Sequence, residues 1–157
     1  MGSEMCIRDS LIRDYDERPK EGVVIVRGTS STNTVVSILD EISSKYNVKI
    51  VSAISWELFD MQDSQYKSSI IGDQEWVDSM VITNTGLNVM KNWMSNRVVA
   101  DYSLSPDWDN RWRTGGSLEQ IIDEAHLSPR WVMKSIAKFA TDRSKRLERL
   151  KQEIPEE

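Results

Sequence analysis

Cysteine and histidine are nearly missing from this sequence: 157 residues contain one of each, Cys6 and His126. A lone cysteine closes no internal disulfide, and the pair falls short of the Cys/His cluster of a structural zinc site. No metal ligand set, catalytic residue or cofactor-binding residue is expected in the chain. Long apolar runs are lacking too. None approaches the roughly 18 residues that cross a bilayer, and no charged segment followed by an apolar one opens the chain as a secretion signal would. Membrane association is therefore not expected, and the expected location is cytoplasmic. There is no basic face either. Lys and Arg number 20 against 25 Asp and Glu, the formal net charge is −5, and the basic residues gather toward the end of the chain. Nucleic acid is not an expected partner.

What is present suits one soluble domain: 39% of residues are hydrophobic and 29% charged, enough to build one sizeable core. Six tryptophans, Trp56, Trp76, Trp93, Trp108, Trp112 and Trp131, are many for this length and read as core or interface anchors. The opening stretch Met1 to Ser10 reads differently. Its Glu4–Ser10 segment has the look of a translated sequencing-library end, so it is taken as a non-native scar, with the native protein expected to extend upstream. Ser10 to Glu21 contains Pro19 and no sustained period, which reads as a linker. The expected division is scar and linker over 1–21, one domain over 22–142, and a charged helix or tail over 143–157.

Within the domain, Gly22 to Arg27 is a continuous β-branched run, as expected of a strand buried on both faces of a parallel sheet. Gly28-Thr-Ser-Ser-Thr-Asn33 is a turn rich in helix-capping residues, and Val35, Val36, Ile38, Leu39 and Ile42 then recur at helical spacing up to Asn47. Val48 to Ile54 is a second strand. Ser55 can cap a short helix over Trp56 to Gln62, and Gln65 to Ile71 continues as helix. Gly72 to Asp78 reads as a polar connection, Ser79 to Asn84 as a third strand, Leu87 to Trp93 as a helix, and Arg97 to Tyr102 as a fourth strand. Ser103 to Gly116 is a long loop. Ser117 with Gln120 has capping-box spacing, Ser128-Pro129 opens a further helix, and the last helix carries Lys and Arg where the helix dipole is negative. Alternating strands and helices predict a three-layer α/β/α sandwich with a mostly parallel sheet of about five strands.

The stretch Ser55-Trp-Glu-Leu-Phe-Asp-Met-Gln62, with Tyr66 after it, a strand ending Thr83-Asn-Thr-Gly86 followed by Trp93, and closing helices from Leu118 to Val132, resembles the C-terminal domain of transketolases. The likeness spans about residues 22–140. It departs at Asp101–Gly116, which is longer than the family's turn, and at Asn84, where the family tends to be acidic. The resemblance implies a parent enzyme that moves a two-carbon ketol unit between sugar phosphates, using thiamine diphosphate and magnesium held on upstream domains. It also implies a homodimeric parent, with this domain in contact with the upstream domains or a second subunit and carrying no chemistry itself. Two alternatives stay open: the matching domain of a 2-oxoacid dehydrogenase E1 component, and a free-standing regulatory module that binds a small anion.

Two groups stand out as candidate sites. Gly28, Thr29, Ser30 and Ser31 join a buried strand to a helix start, where backbone donors could hold an anion, or simply form a capped and tightly packed turn. Trp56, Leu58 and Phe59 could face a partner domain or fill the core. His126 lacks a partner at catalytic spacing and reads as a helix-end surface residue. Asp107, Asp109, Arg111 and Arg113 alternate in charge around Trp108 and Trp112, as the rim of a channel or as a solvated loop pinned by two indoles.

Overall fold

The computed structural model describes residues 11–53, 55–109 and 116–153. The expected scar with Cys6, Ile54, and Arg111, Trp112 and Arg113 lie outside the described residues. Strands β1 (Leu11–Arg13), β2 (Val23–Arg27), β3 (Lys49–Ser52) and β4 (Ser79–Thr83) form one sheet in the order β1-β3-β2-β4. β2 pairs in parallel with both β3 and β4, and β1 lies antiparallel on β3. The helices are α1 (Thr29–Ser37), α2 (Leu39–Lys45), α3 (Trp56–Asp60), α4 (Ser64–Ile70), α5 (Asp73–Val77), α6 (Arg97–Tyr102), α7 (Leu118–Glu124), α8 (Pro129–Thr141) and α9 (Arg143–Glu153), with a 3-10 helix at Leu87–Trp93.

Period-two alternation along the parallel strands sends side chains to opposite faces, so each strand feeds two cores. Val24, Val26, Ile50, Met80 and Ile82 meet Val35, Ile42, Val132, Ile136 and Phe139 on one face. Val23, Ile25, Val51 and Val81 meet Ile70, Met90, Trp93 and Val99 on the other, with Trp56, Phe59 and Trp76 packed against them. This is the expected three-layer α/β/α arrangement, with four strands in place of about five.

Of the four strands placed from the sequence, Arg97–Tyr102 is the one that does not form; it is α6. Asn96 accepts a hydrogen bond from the Val99 amide at 3.1 Å and so caps a helix. Val98 and Val99 are both buried in that helical setting, and cap and packing together override the strand propensity of adjacent valines. Beyond it, Leu104 alone pairs with β4: its amide donates to Val81 O at 2.8 Å and its carbonyl accepts from the Thr83 amide at 3.0 Å. The expected linker also contains structure. β1 forms a short edge strand, and Arg13 ties it down by donating to Ser43 Oγ at 3.0 Å and Val48 O at 2.6 Å. The expected polar connection after Gly72 holds α5, whose Glu75 carboxylate accepts from the Gly72 amide at 3.1 Å. The single helix expected before Asn47 is two, divided at Ile38.

The amino ends of β2 and β4 are locked by one arginine. Arg146 is 1% exposed; its guanidinium forms an ion pair with Asp78, donates to Glu21 O at 2.8 Å and Phe139 O at 3.0 Å, and lies 3.6 Å from the Phe139 ring centre. Burial lowers its pKa, and the charge of Asp78 opposes that shift.

Candidate functional site

At the other end of the sheet, the chain leaves β2 for α1 and β3 on one side, then returns from β3 to place β4 on the opposite side. Connections running opposite ways from neighbouring parallel strands leave a crevice outside the carboxyl ends, the usual place for a ligand in an open α/β sheet. A cleft of about 470 Å3 lies here, walled by Arg27 at the end of β2 with Gly28 and Thr29 after it, Ser52 at the end of β3 with Ala53 after it, and Asn84 and Thr85 after β4.

Gly28 makes the sharp exit from β2 possible. Its φ is +95°, a region that L side chains rarely occupy, and it precedes α1 with no side-chain cap over the first turn. A Cβ there would clash with Asn84 Oδ1. Asn84 donates to Ser30 Oγ at 3.1 Å and so links the β4 exit to the start of α1. Of the four residues expected to form an anion-binding turn, Gly28 and Thr29 line the cleft. Ser30 reaches it through Asn84. Ser31 is 2% exposed, on the packed face of α1, and its hydroxyl has no hydrogen-bond partner among the described residues.

The main feature that reading the sequence missed is Arg27, the one charge ending an otherwise apolar strand. Its guanidinium contacts the Met90 thioether at 3.9 Å and, among the described residues, forms no ion pair with a carboxylate. Glu57 is an acid that feels its charge. The Glu57 carboxylate is held below the usual range by its own backbone amide and by Ser55, whose hydroxyl donates to it at 2.9 Å, with a smaller contribution from Arg27.

The second candidate group separates in the structure. Trp56 and Phe59 turn inward, onto Trp93 at 5.1 and 5.2 Å between ring centres, and Trp76 donates to Trp93 O at 2.7 Å. Leu58 points outward and is 55% exposed. Ser55 caps α3 as expected, accepting from the Leu58 amide at 3.4 Å.

His126 follows α7 with φ +63°, and its ring stacks between Trp108 at 4.1 Å and Trp131 at 3.8 Å. Trp108 thus pins the long loop to the α7–α8 corner. Nearby, Asp123 is held down to about 2, first by its hydrogen bonds from Arg130 and then by that from Ser128. Ser128 precedes Pro129 as expected, but its hydroxyl serves Asp123 and does not cap α8. Among the described residues no three His, Cys, Asp or Glu side chains come together as a metal site, and no helix is long and apolar enough to cross a membrane. The cleft's wall of one arginine and short polar side chains offers no carboxylate set for a magnesium ion, so it does not fit a metal-held thiamine diphosphate.

The sequence matches no protein-family model and no curated protein. Solved structures do match. A transketolase from Campylobacter jejuni superposes with a TM-score of 0.58 at 12% identity, covering 82% of this chain and 18% of the transketolase. A transketolase from Pichia stipitis in complex with sedoheptulose 7-phosphate gives 0.57 at 14% identity, covering 88% and 19%. Another from that organism, in complex with xylulose 5-phosphate, gives 0.56 at 17%, again covering 88% and 19%. This chain spans about a fifth of the length of the transketolases it matches, and over most of its own length it has the fold of that portion of them.

Proposed function

We propose that this chain acts as the C-terminal accessory domain of a transketolase-type enzyme, contributing contacts and shape to an assembly whose bond-making residues lie elsewhere. The fold match carries the reading: 82–88% of this chain corresponds to under a fifth of a transketolase. The parent would transfer a two-carbon ketol unit between sugar phosphates, with thiamine diphosphate and magnesium on domains that adjoin this one, in a cytoplasmic homodimer. The Ser55 to Gln62 segment supports the same reading, because its two inward aromatics build the second core while Leu58 and Met61, 55% and 80% exposed, are left for a neighbour.

The test is an assay of the purified 157-residue chain with a ketose phosphate, an aldose phosphate, thiamine diphosphate and magnesium. No ketol transfer above the protein-free rate is the expected result. Turnover abolished by omitting thiamine diphosphate would overturn the proposal.

A further inference from the structure

The cleft at the carboxyl ends of β2, β3 and β4 has a charge pattern that packing does not explain. The chain carries a net charge of −5, yet no carboxylate lines this cleft. Arg27 lines it, half-buried, with a thioether at 3.9 Å as its hydrogen-bonding contact and no ion pair among the described residues. A partly buried arginine with no ion pair keeps its donors for a ligand, whereas a charge taken fully out of water is normally compensated by a partner. Arg146 at the opposite end shows the compensated case in the same molecule.

We propose that the cleft binds a small phosphorylated molecule, with its phosphate between the Arg27 guanidinium and the hydroxyls of Thr29 and Thr85. The planar guanidinium offers a fork of donors suited to two phosphate oxygens. Thr29 on α1 and Thr85 after β4 line the same cleft, the Thr85 hydroxyl also sharing a hydrogen bond of 2.8 Å with Thr83 Oγ1. The volume of about 470 Å3 falls within the range of small-molecule sites and leaves room for more than the phosphate itself. Glu57, an acid that feels the Arg27 charge, is engaged by Ser55 and its own backbone amide. This inference stands apart from the accessory-domain reading: the cleft could bind such a molecule whether or not the parent transfers ketol units.

An amide-resolved NMR titration of the full chain with inorganic phosphate, at constant ionic strength set by chloride, tests it. The expected result is saturable, single-site shifts centred on Gly28, Thr29, Asn84 and Thr85. Arg27→Gln should weaken binding about tenfold or more, the usual size of a lost charge-assisted contact. Asn84→Asp, which adds a negative charge to the wall at an exposed position, should weaken it as well. The spectrum of each variant reports on its fold independently. Non-saturable shifts, shifts centred on the basic residues of α9, or equal affinity in Arg27→Gln and the parent chain would each overturn the assignment.

Discussion

An arginine serves each end of the parallel strands, Arg146 reaching in from α9 and Arg27 closing β2, and the two are treated in opposite ways. At the amino end Arg146 is buried, paired with Asp78, bonded to two carbonyls and stacked on Phe139. At the carboxyl end Arg27 opens on a cleft, contacts the Met90 thioether and forms no ion pair among the described residues. The glycines at the two ends repeat the contrast. A Cβ on Gly22 would lie 2.6 Å from the Phe139 ring, which is fully buried, whereas one on Gly28 would meet the exposed side chain of Asn84. One end uses its polar groups to close the structure, and the other leaves them available. Fold stability and ligand chemistry are thereby divided between opposite edges of one sheet, as in open α/β sheets generally.

Substitutions at the two ends should separate accordingly. The largest effect is expected from Arg146→Ala, which strands Asp78 beside Arg143 alone; urea unfolding should register a loss of about 3–5 kcal/mol, the usual result of removing one partner from a buried pair. Gly22→Ala comes next, at about 2–4 kcal/mol, because its φ of +124° and the buried Phe139 both oppose a Cβ. Gly28→Ala should cost about 1–2 kcal/mol by the same measurement, since the backbone strain remains but Asn84 can swing away. Arg27→Gln should be smallest, within about 0.5 kcal/mol, as for a change that breaks no folded-state network. Equal losses for the two glycine variants would erase the contrast between the ends.

Most of this plan was legible in the sequence because its local signals agree with one another. The runs Val23–Val26 and Ser79–Ile82 are apolar or small throughout, as strands covered on both faces must be, and Ser55, Ser117 and Pro129 mark helix starts that the structure keeps. The failures have tertiary causes. Leu11–Arg13 is too short to show a period, and its place in the sheet depends on Arg13 reaching residues 30 and 35 positions away. Val98 and Val99 favour a strand by propensity alone, but the Asn96 cap and a buried helical face decide otherwise. The Gly28 turn could be singled out from its composition. Arg27 could not, because what distinguishes it is the absence of acid from walls contributed by three separate strand ends. Likewise, nothing in the spacing of Trp108, His126 and Trp131 announces that the imidazole is held between two indoles.

The division between the two ends can be tested with the same conservative change made at each, Arg146→Lys and Arg27→Lys, comparing urea midpoints in phosphate-free buffer. Lysine keeps the charge and loses the planar fork, so the Arg146 variant should lose at least about 1 kcal/mol while the Arg27 variant stays within about 0.5 kcal/mol of the parent chain. Matching losses at both positions, or a larger loss at Arg27, would contradict the account.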